Sequence, residues 1–167
     1  MSAREGILHA IRSAAVPAAP PAALPPPRTF ELQELRVQFL RVLADVGGRG
    51  IEQDHDRPLD ALLAELIGAE GADVTVVRGR FAVAENAAVY VDASDLPQRN
   101  DIVRRKRMIV IVSRDAVVPT MHEAVRLMPA GAGCGWFLSG PSKTADIEQA
   151  LVYGAQGSRE HLVILAH

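Results

Sequence analysis

The sequence has little of what a chemical function is usually read from. Its 167 residues include a single cysteine, Cys134. An intrachain disulfide is therefore excluded, and so is a thiolate zinc or iron–sulfur site built from this chain alone. Aromatic residues make up only 4% of the chain, while the apolar fraction of 49% is rich in alanine. Small side chains favour close-packed helices on a sheet over a wide aromatic pocket. The net charge of -2, with both signs mixed, makes no electrostatic case for nucleic acid as a partner. No apolar run approaches the roughly 20 residues of a membrane span. The N-terminus, MSAREGILHAIRSA, carries charges where a signal peptide would have its apolar core. The expected compartment is the cytoplasm.

What is present organises the chain into three parts. Residues 1–15 form an N-terminal arm whose Ile7, Leu8 and Ile11 share one helical face. This arm is free to dock on its own domain or to support a homo-oligomer through residues 3–15. Residues 16–28, VPAAPPAALPPPR, contain six prolines in thirteen positions. Proline lacks the amide N–H and fixes φ, so this stretch reads as a stiff, extended linker. An α/β domain is expected from residue 29 to residue 167.

Within it, Phe30 to Val46 keeps a 3.6-residue apolar period and ends at Gly47-Gly48. Gly50–Gln53 reads as a short strand and Leu59–Ile67 as a helix begun by Pro58. Strands are expected at Asp73–Val77, at Phe81–Ala84 and at Ala87–Val91, with a tight turn at Glu85-Asn86. The second half reads as strand Met108–Ser113, helix Pro119–Met128, strand Trp136–Ser139, helix Thr144–Tyr153 ended by Gly154, and strand His161–Ala166. That alternation implies crossovers and a parallel sheet.

In open α/β sheets, ligands bind at the carboxyl ends of strands. The Trp136–Ser139 strand leads there into Gly140-Pro141-Ser142-Lys143-Thr144. Gly140 permits close backbone approach, Pro141 stiffens the turn, and Ser142 or Thr144 can cap the expected helix. Lys143 adds a positive charge, and Asp146 falls in the first turn, where the helix dipole favours a carboxylate. Two readings stand side by side: an anion cradle at a helix N-terminus for a carboxylate, phosphate or pyrophosphate, and a well-capped junction with nothing bound. The P-loop pattern G-x-x-x-x-G-K-[ST] is absent.

These residues also carry a resemblance. FLSGPSKTADIEQALVYGAQGSREHLVILAH, from Phe137 to His167, closely resembles the C-terminal end of the LUD-domain family, the LutC-like lactate-utilisation proteins. Ser139–Glu148 (SGPSKTADIE) carries that family's most specific signature. Phe81–Val91 (FAVAENAAVYV) is similar to its middle motif, and the helices at Ala3–Ala15 and Phe30–Gly47 to its N-terminal start. Two motifs depart from the pattern. Asn86-Ala87-Ala88 stands where Thr-Gly-Thr is usual, and Gln156-Gly157-Ser158 where His-Gly-Pro is usual. The chain is also about one α/β unit shorter than typical members around Ala69 to Arg80. The resemblance thus points to a divergent, shortened member. It implies a three-layer α/β/α Rossmann-like fold, similar to the NagB/RpiA/CoA-transferase class, with a mostly parallel sheet. It implies a role in oxidising L-lactate to pyruvate beside iron–sulfur lactate-utilisation proteins as partners. Any iron–sulfur cluster would then be held by those partners, with no cofactor bound by this chain alone.

Other constellations are weaker. Glu85 is a catalytic candidate by likeness to the glutamate nucleophile of CoA transferases; the alternative is a turn glutamate facing solvent. Asp54-His55-Asp56 is a metal cluster on paper only, since consecutive strand residues point to opposite faces, and no metal site is expected. His9, His122, His161 and His167 read as surface or edge residues. Cys134, among glycines, has no neighbour in sequence to lower its pKa and reads as a small buried or loop residue. Arg104 to Arg107 reads as a solvated rim, with a docking patch for an acidic partner or phosphate as the alternative.

Overall fold

The structure is a computed structural model, and it describes residues 3–14, 30–96, 98, 100–128, 134–144 and 151–167. The proline-rich stretch 16–28 lies outside the described residues. The elements are α1 (Ala3–Ser13), α2 (Leu32–Asp45), β1 (Arg49–Glu52), α3 (Leu59–Ile67), β2 (Val74–Arg78), β3 (Phe81–Val83) and β4 (Val89–Asp92). They continue with α4 (Asp101–Arg104), β5 (Arg107–Ser113), β6 (Val117–Val118), α5 (Met121–Leu127), β7 (Gly135–Leu138), β8 (Lys143–Thr144), β9 (Val152–Tyr153) and β10 (Glu160–Ala166).

Four strands form an all-parallel sheet in the order β1-β10-β5-β2. It is buried on both faces, which is why MIVIVS and HLVILA read as unbroken apolar runs. The period of two sorts their side chains. Ile109, Ile111, Leu162 and Ile164 face Leu62 of α3, and Met108, Val110, Val112, Val163 and Leu165 face Leu35, Phe39 and Leu43 of α2. The expected layered α/β/α packing around a parallel sheet is therefore present. Helix α2 ends in a Schellman motif: Gly48 N–H donates to Leu43 O at 2.8 Å and Gly47 N–H to Ala44 O at 2.9 Å. Gly47 takes the left-handed conformation, φ 81°, that this ending requires.

A second four-stranded sheet, β6-β3-β4-β7, shares the inner core with α2. Its other face packs Phe81, Val83 and Tyr90 against Ala124 of α5. Here the structure corrects the sequence reading. Strand β7 was expected among the parallel strands; it runs antiparallel to β4 instead, with Tyr90 opposite Phe137 and Val91 opposite Trp136. Gly135 makes this possible, because a Cβ there would lie 2.3 Å from the Tyr90 hydroxyl oxygen. The parallel sheet closes without β7, since β10 pairs directly with β5 along its whole length.

The second correction concerns the helix expected over Thr144–Tyr153. Thr144 pairs with Val152 and Lys143 with Tyr153 as a short antiparallel ladder, β8 with β9. Residues 145–150, Asp146 among them, lie outside the described residues. At its described ends the segment follows the contacts that fasten them.

Candidate functional site

The turn after β7 is tied down on three sides. Ser139 Oγ donates to the backbone carbonyl of Asn86 at 2.6 Å, joining the turn to the β3–β4 hairpin. Gly140 has φ 69°, and a Cβ at this position would sit 2.8 Å from Val46 O. The close approach read from Gly140 is thus real, but its partner is the C-terminal end of α2. Lys143 Nζ reaches the same residue and donates to Val46 O. Ser142 is clasped to the loop before β10: its N–H donates to Ser158 O at 2.9 Å, and its carbonyl accepts from Gly154 N–H at 2.9 Å. Its Oγ accepts from Gln156 N–H at 3.3 Å. Pro141 is buried beneath this clasp. Lys143 is therefore committed to a helix end, and the Ser142 amide to a carbonyl. Thr144, where a helix start was expected, pairs with Val152 in the β8–β9 ladder.

The clasp encloses a cleft of about 200 Å³. Ser139, Gly140, Pro141 and Ser142 form one wall, Gln156, Gly157 and Ser158 the other, and Ile102, Met108, Phe137 and His161 line its depth. The departing motif Gln156-Gly157-Ser158 and the signature turn thus meet across one opening. Among the described residues that line it, none is Asp, Glu, Lys or Arg.

His161 is the cleft residue that the sequence reading placed elsewhere. It was read as a surface or edge residue, yet only 4% of it is exposed. It sits opposite Met108 in the β10–β5 register, on the inward parity of Val163 and Leu165. Its Nε2 and the Ser158 Oγ are, among the described residues, the buried side-chain polar atoms without a hydrogen-bond partner. Burial pushes the imidazole pKa down to about 4, so His161 is neutral near pH 7. The signal was available: in a strand buried on both faces, the same period of two that places Val163 and Leu165 places His161 inward as well.

The remaining candidates lie apart from the cleft. Glu85 Oε1 accepts from Met121 N–H at 2.9 Å, which caps the start of α5 and gives this exposed carboxylate a structural partner. Asp54 accepts from Asp56 N–H at 3.3 Å, and the His55 ring packs edge-on against that of His167 with centroids 4.9 Å apart. Among the described residues no group of three or more His, Cys, Asp or Glu is placed to hold a metal ion. Cys134 is exposed. Arg104, Arg105 and Lys106 are exposed, whereas Arg107 is half-buried and donates to Glu160 at 2.6 Å and to Leu66 O at 3.1 Å. Arg107 joins Arg49 and Arg159, with Glu65 and Glu160, around an open groove of about 450 Å³ that also touches His161. No described helix is long and apolar enough to cross a membrane.

A parallel sheet covered by helices on both faces, with a second sheet delivering a clasped turn beside the amino end of β10, defines a three-layer α/β protein. The fold is similar to the crystal structure of a DUF162 family protein from Deinococcus radiodurans. The TM-score is 0.64, with 16% identity, over 83% of this chain and 100% of that one. Residues 67–166 match the family model of the LUD domain, and the chain belongs to that family. The matched span holds every residue that lines the cleft. Lactate utilization protein C 1 of Bacillus mycoides (strain KBAB4) is 32% identical over 96 residues, 53% of this chain and 41% of that protein. Lactate utilization protein C of Bacillus pumilus (strain SAFR-032) is 34% identical over 96 residues, 53% of this chain and 40% of that protein. The corresponding protein of Bacillus velezensis is 29% identical over 106 residues, 59% of this chain and 44% of that protein. The chain thus matches less than half the length of these curated relatives.

Proposed function

We propose that this chain is a LutC-like component of an L-lactate utilisation system, an auxiliary, non-redox subunit of the machinery that oxidises lactate to pyruvate. The observation that carries this reading is its identity of about 30%, over 96 to 106 residues, to proteins named for lactate utilisation. With one cysteine in the chain, the iron–sulfur chemistry of such an oxidation falls to partner proteins. The test is genetic and biochemical together. Deletion should slow growth on L-lactate while leaving growth on pyruvate unchanged, and the tagged chain should co-purify with iron and labile sulfide from lactate-grown cells. Normal growth of the deletion strain, with no iron in the purified fraction, sinks the reading.

A second reading, a small-molecule enzyme of the CoA-transferase or isomerase type, is favoured by the arginine groove at the amino ends of β1, β5 and β10. Three arginines against two glutamates give that groove a positive excess suited to a carboxylate, phosphate or CoA phosphate. On this reading the anion sits among Arg49, Arg107 and Arg159, beside the Ser139–Thr144 turn. Thermal shifts with phosphate, pyruvate and CoA test it; an unchanged melting temperature with all three discards it.

A further inference from the structure

The cleft beneath Pro141 presents a chemistry different from that of the arginine groove. Its two unsatisfied groups are a hydroxyl, Ser158 Oγ, and an imidazole nitrogen, His161 Nε2. Ser158 is 6% exposed and His161 4%. Buried polar atoms are almost always paired, because leaving one unpaired costs about 1–3 kcal/mol. Both belong to residues that line one cavity, so a partner from outside the chain that reaches them through this cleft would complete the pairing. A serine hydroxyl both donates and accepts, and Nε2 of a neutral imidazole does one or the other according to tautomer. Such a pair fits a hydroxyl or a carbonyl oxygen.

Three further observations narrow the ligand. The cleft of about 200 Å³ exceeds one water, whose share of liquid volume is about 30 Å³, and suits a molecule of about five to eight non-hydrogen atoms. Its depth is lined by apolar carbons from Ile102, Met108 and Phe137. The described lining carries no charged side chain, so an anion brought in would lose its hydration without gaining a countercharge.

We infer that this cleft is a binding site for a small, uncharged molecule bearing a hydroxyl or carbonyl oxygen, held by His161 Nε2 and Ser158 Oγ. The apolar part of the ligand lies on Met108 and Phe137. The inference stands independently of the pathway reading, since it concerns what the cleft holds and not which process uses it.

Calorimetric titration of the full chain near neutral pH tests it with four probes: lactamide, propane-1,2-diol, sodium lactate and sodium phosphate. Lactamide and propane-1,2-diol should bind saturably in the millimolar range. Each of His161→Leu and Ser158→Ala should weaken that binding by about tenfold or more, the loss of one hydrogen bond to an otherwise unpaired group. Circular dichroism and melting curves confirm that each variant is folded, and Ser158→Ala is the milder change should His161→Leu perturb β10. No saturable binding of the two neutral probes up to about 100 mM overturns the inference. So does binding that both substitutions leave unchanged, or His161-dependent binding of lactate or phosphate as tight as that of lactamide.

Discussion

Lys143 donates from Nζ to the backbone carbonyl of Val46, a residue 97 positions earlier in the chain. The Schellman motif already satisfies Leu43 O and Ala44 O through Gly48 and Gly47. The lysine covers a carbonyl two residues further on and places a positive charge at the negative end of the α2 dipole. The bond is exposed, so its worth is modest. Lys143→Ala should lower stability in urea by about 0.5–1 kcal/mol while leaving lactamide binding unchanged. A loss of ligand binding with unchanged stability would place the lysine in the cleft after all.

Gly140 meets the same carbonyl from the other side. A methyl group there would be forced to within 2.8 Å of Val46 O and 3.0 Å of Val46 Cγ2, on a backbone at φ 69°. Left-handed strain alone costs a non-glycine residue about 1–2 kcal/mol. Gly140→Ala should therefore destabilise by about 2–3 kcal/mol, seen as a lower urea midpoint with an unchanged slope. A neutral result would mean that the turn is not pressed against α2.

These contacts explain which parts of the molecule were legible. Helix α3 spans Leu59–Ile67 as its apolar spacing and Pro58 predict, because both signals are local. Strands β5 and β10 were equally plain, since burial on both faces leaves an unbroken apolar run. Strand β7 was found, but not its sheet: the choice of β4 as partner depends on Gly135 fitting against Tyr90, a contact between residues 45 positions apart that no periodicity reports. The helix expected over Thr144–Tyr153 had good local propensity, yet its ends are set by Ser142 bonding to Gly154, Gln156 and Ser158. Glu85 was singled out as a catalytic candidate, and the structure gives it a structural partner. It caps α5, because the Met121 amide that it meets is brought to it by the second sheet. The turn could be read from sequence; the histidine beneath it was passed over because a polar residue heading a strand was assigned to the surface.

The arm offers a separate test. Helix α1 buries none of its residues, and Ile7 and Ile11 remain 62% and 63% exposed on one face. Docking of a second copy on this apolar stripe is open to direct test. Where the wild-type chain self-associates in sedimentation velocity, Ile7→Glu combined with Ile11→Glu should convert it to monomer, with the melting temperature of the α/β part unchanged. An identical sedimentation profile for both proteins excludes α1 as the self-association surface.

The histidine in the cleft also makes stability depend on pH in a definite direction. Its pKa is about 4 in the folded protein against 6.5 without the fold, because burial penalises the imidazolium. Between those values the unfolded chain holds a proton that the folded one does not, so falling pH favours unfolding. Above pH 6.5 both forms are neutral at this site and stability is insensitive to it; below about pH 4 both are protonated and the effect is complete. Across the window the loss amounts to about 3 kcal/mol. Asp92, whose pKa the Ser94 hydroxyl and amide hold below the ordinary 3.8, adds its own acid sensitivity below this window. The informative quantity is therefore the difference between wild type and His161→Leu in urea denaturation at a series of pH values. The variant removes an unpaired buried nitrogen and fills its place with carbon, so it should be more stable by about 1 kcal/mol near neutral pH. Its advantage should then widen steadily as the pH falls from 6.5 to 4. A stabilised variant that no longer binds lactamide would mark His161 as a residue kept for ligand binding at the expense of stability. An advantage that stays constant across the window would show instead that the imidazole is already paired or solvated in the folded chain.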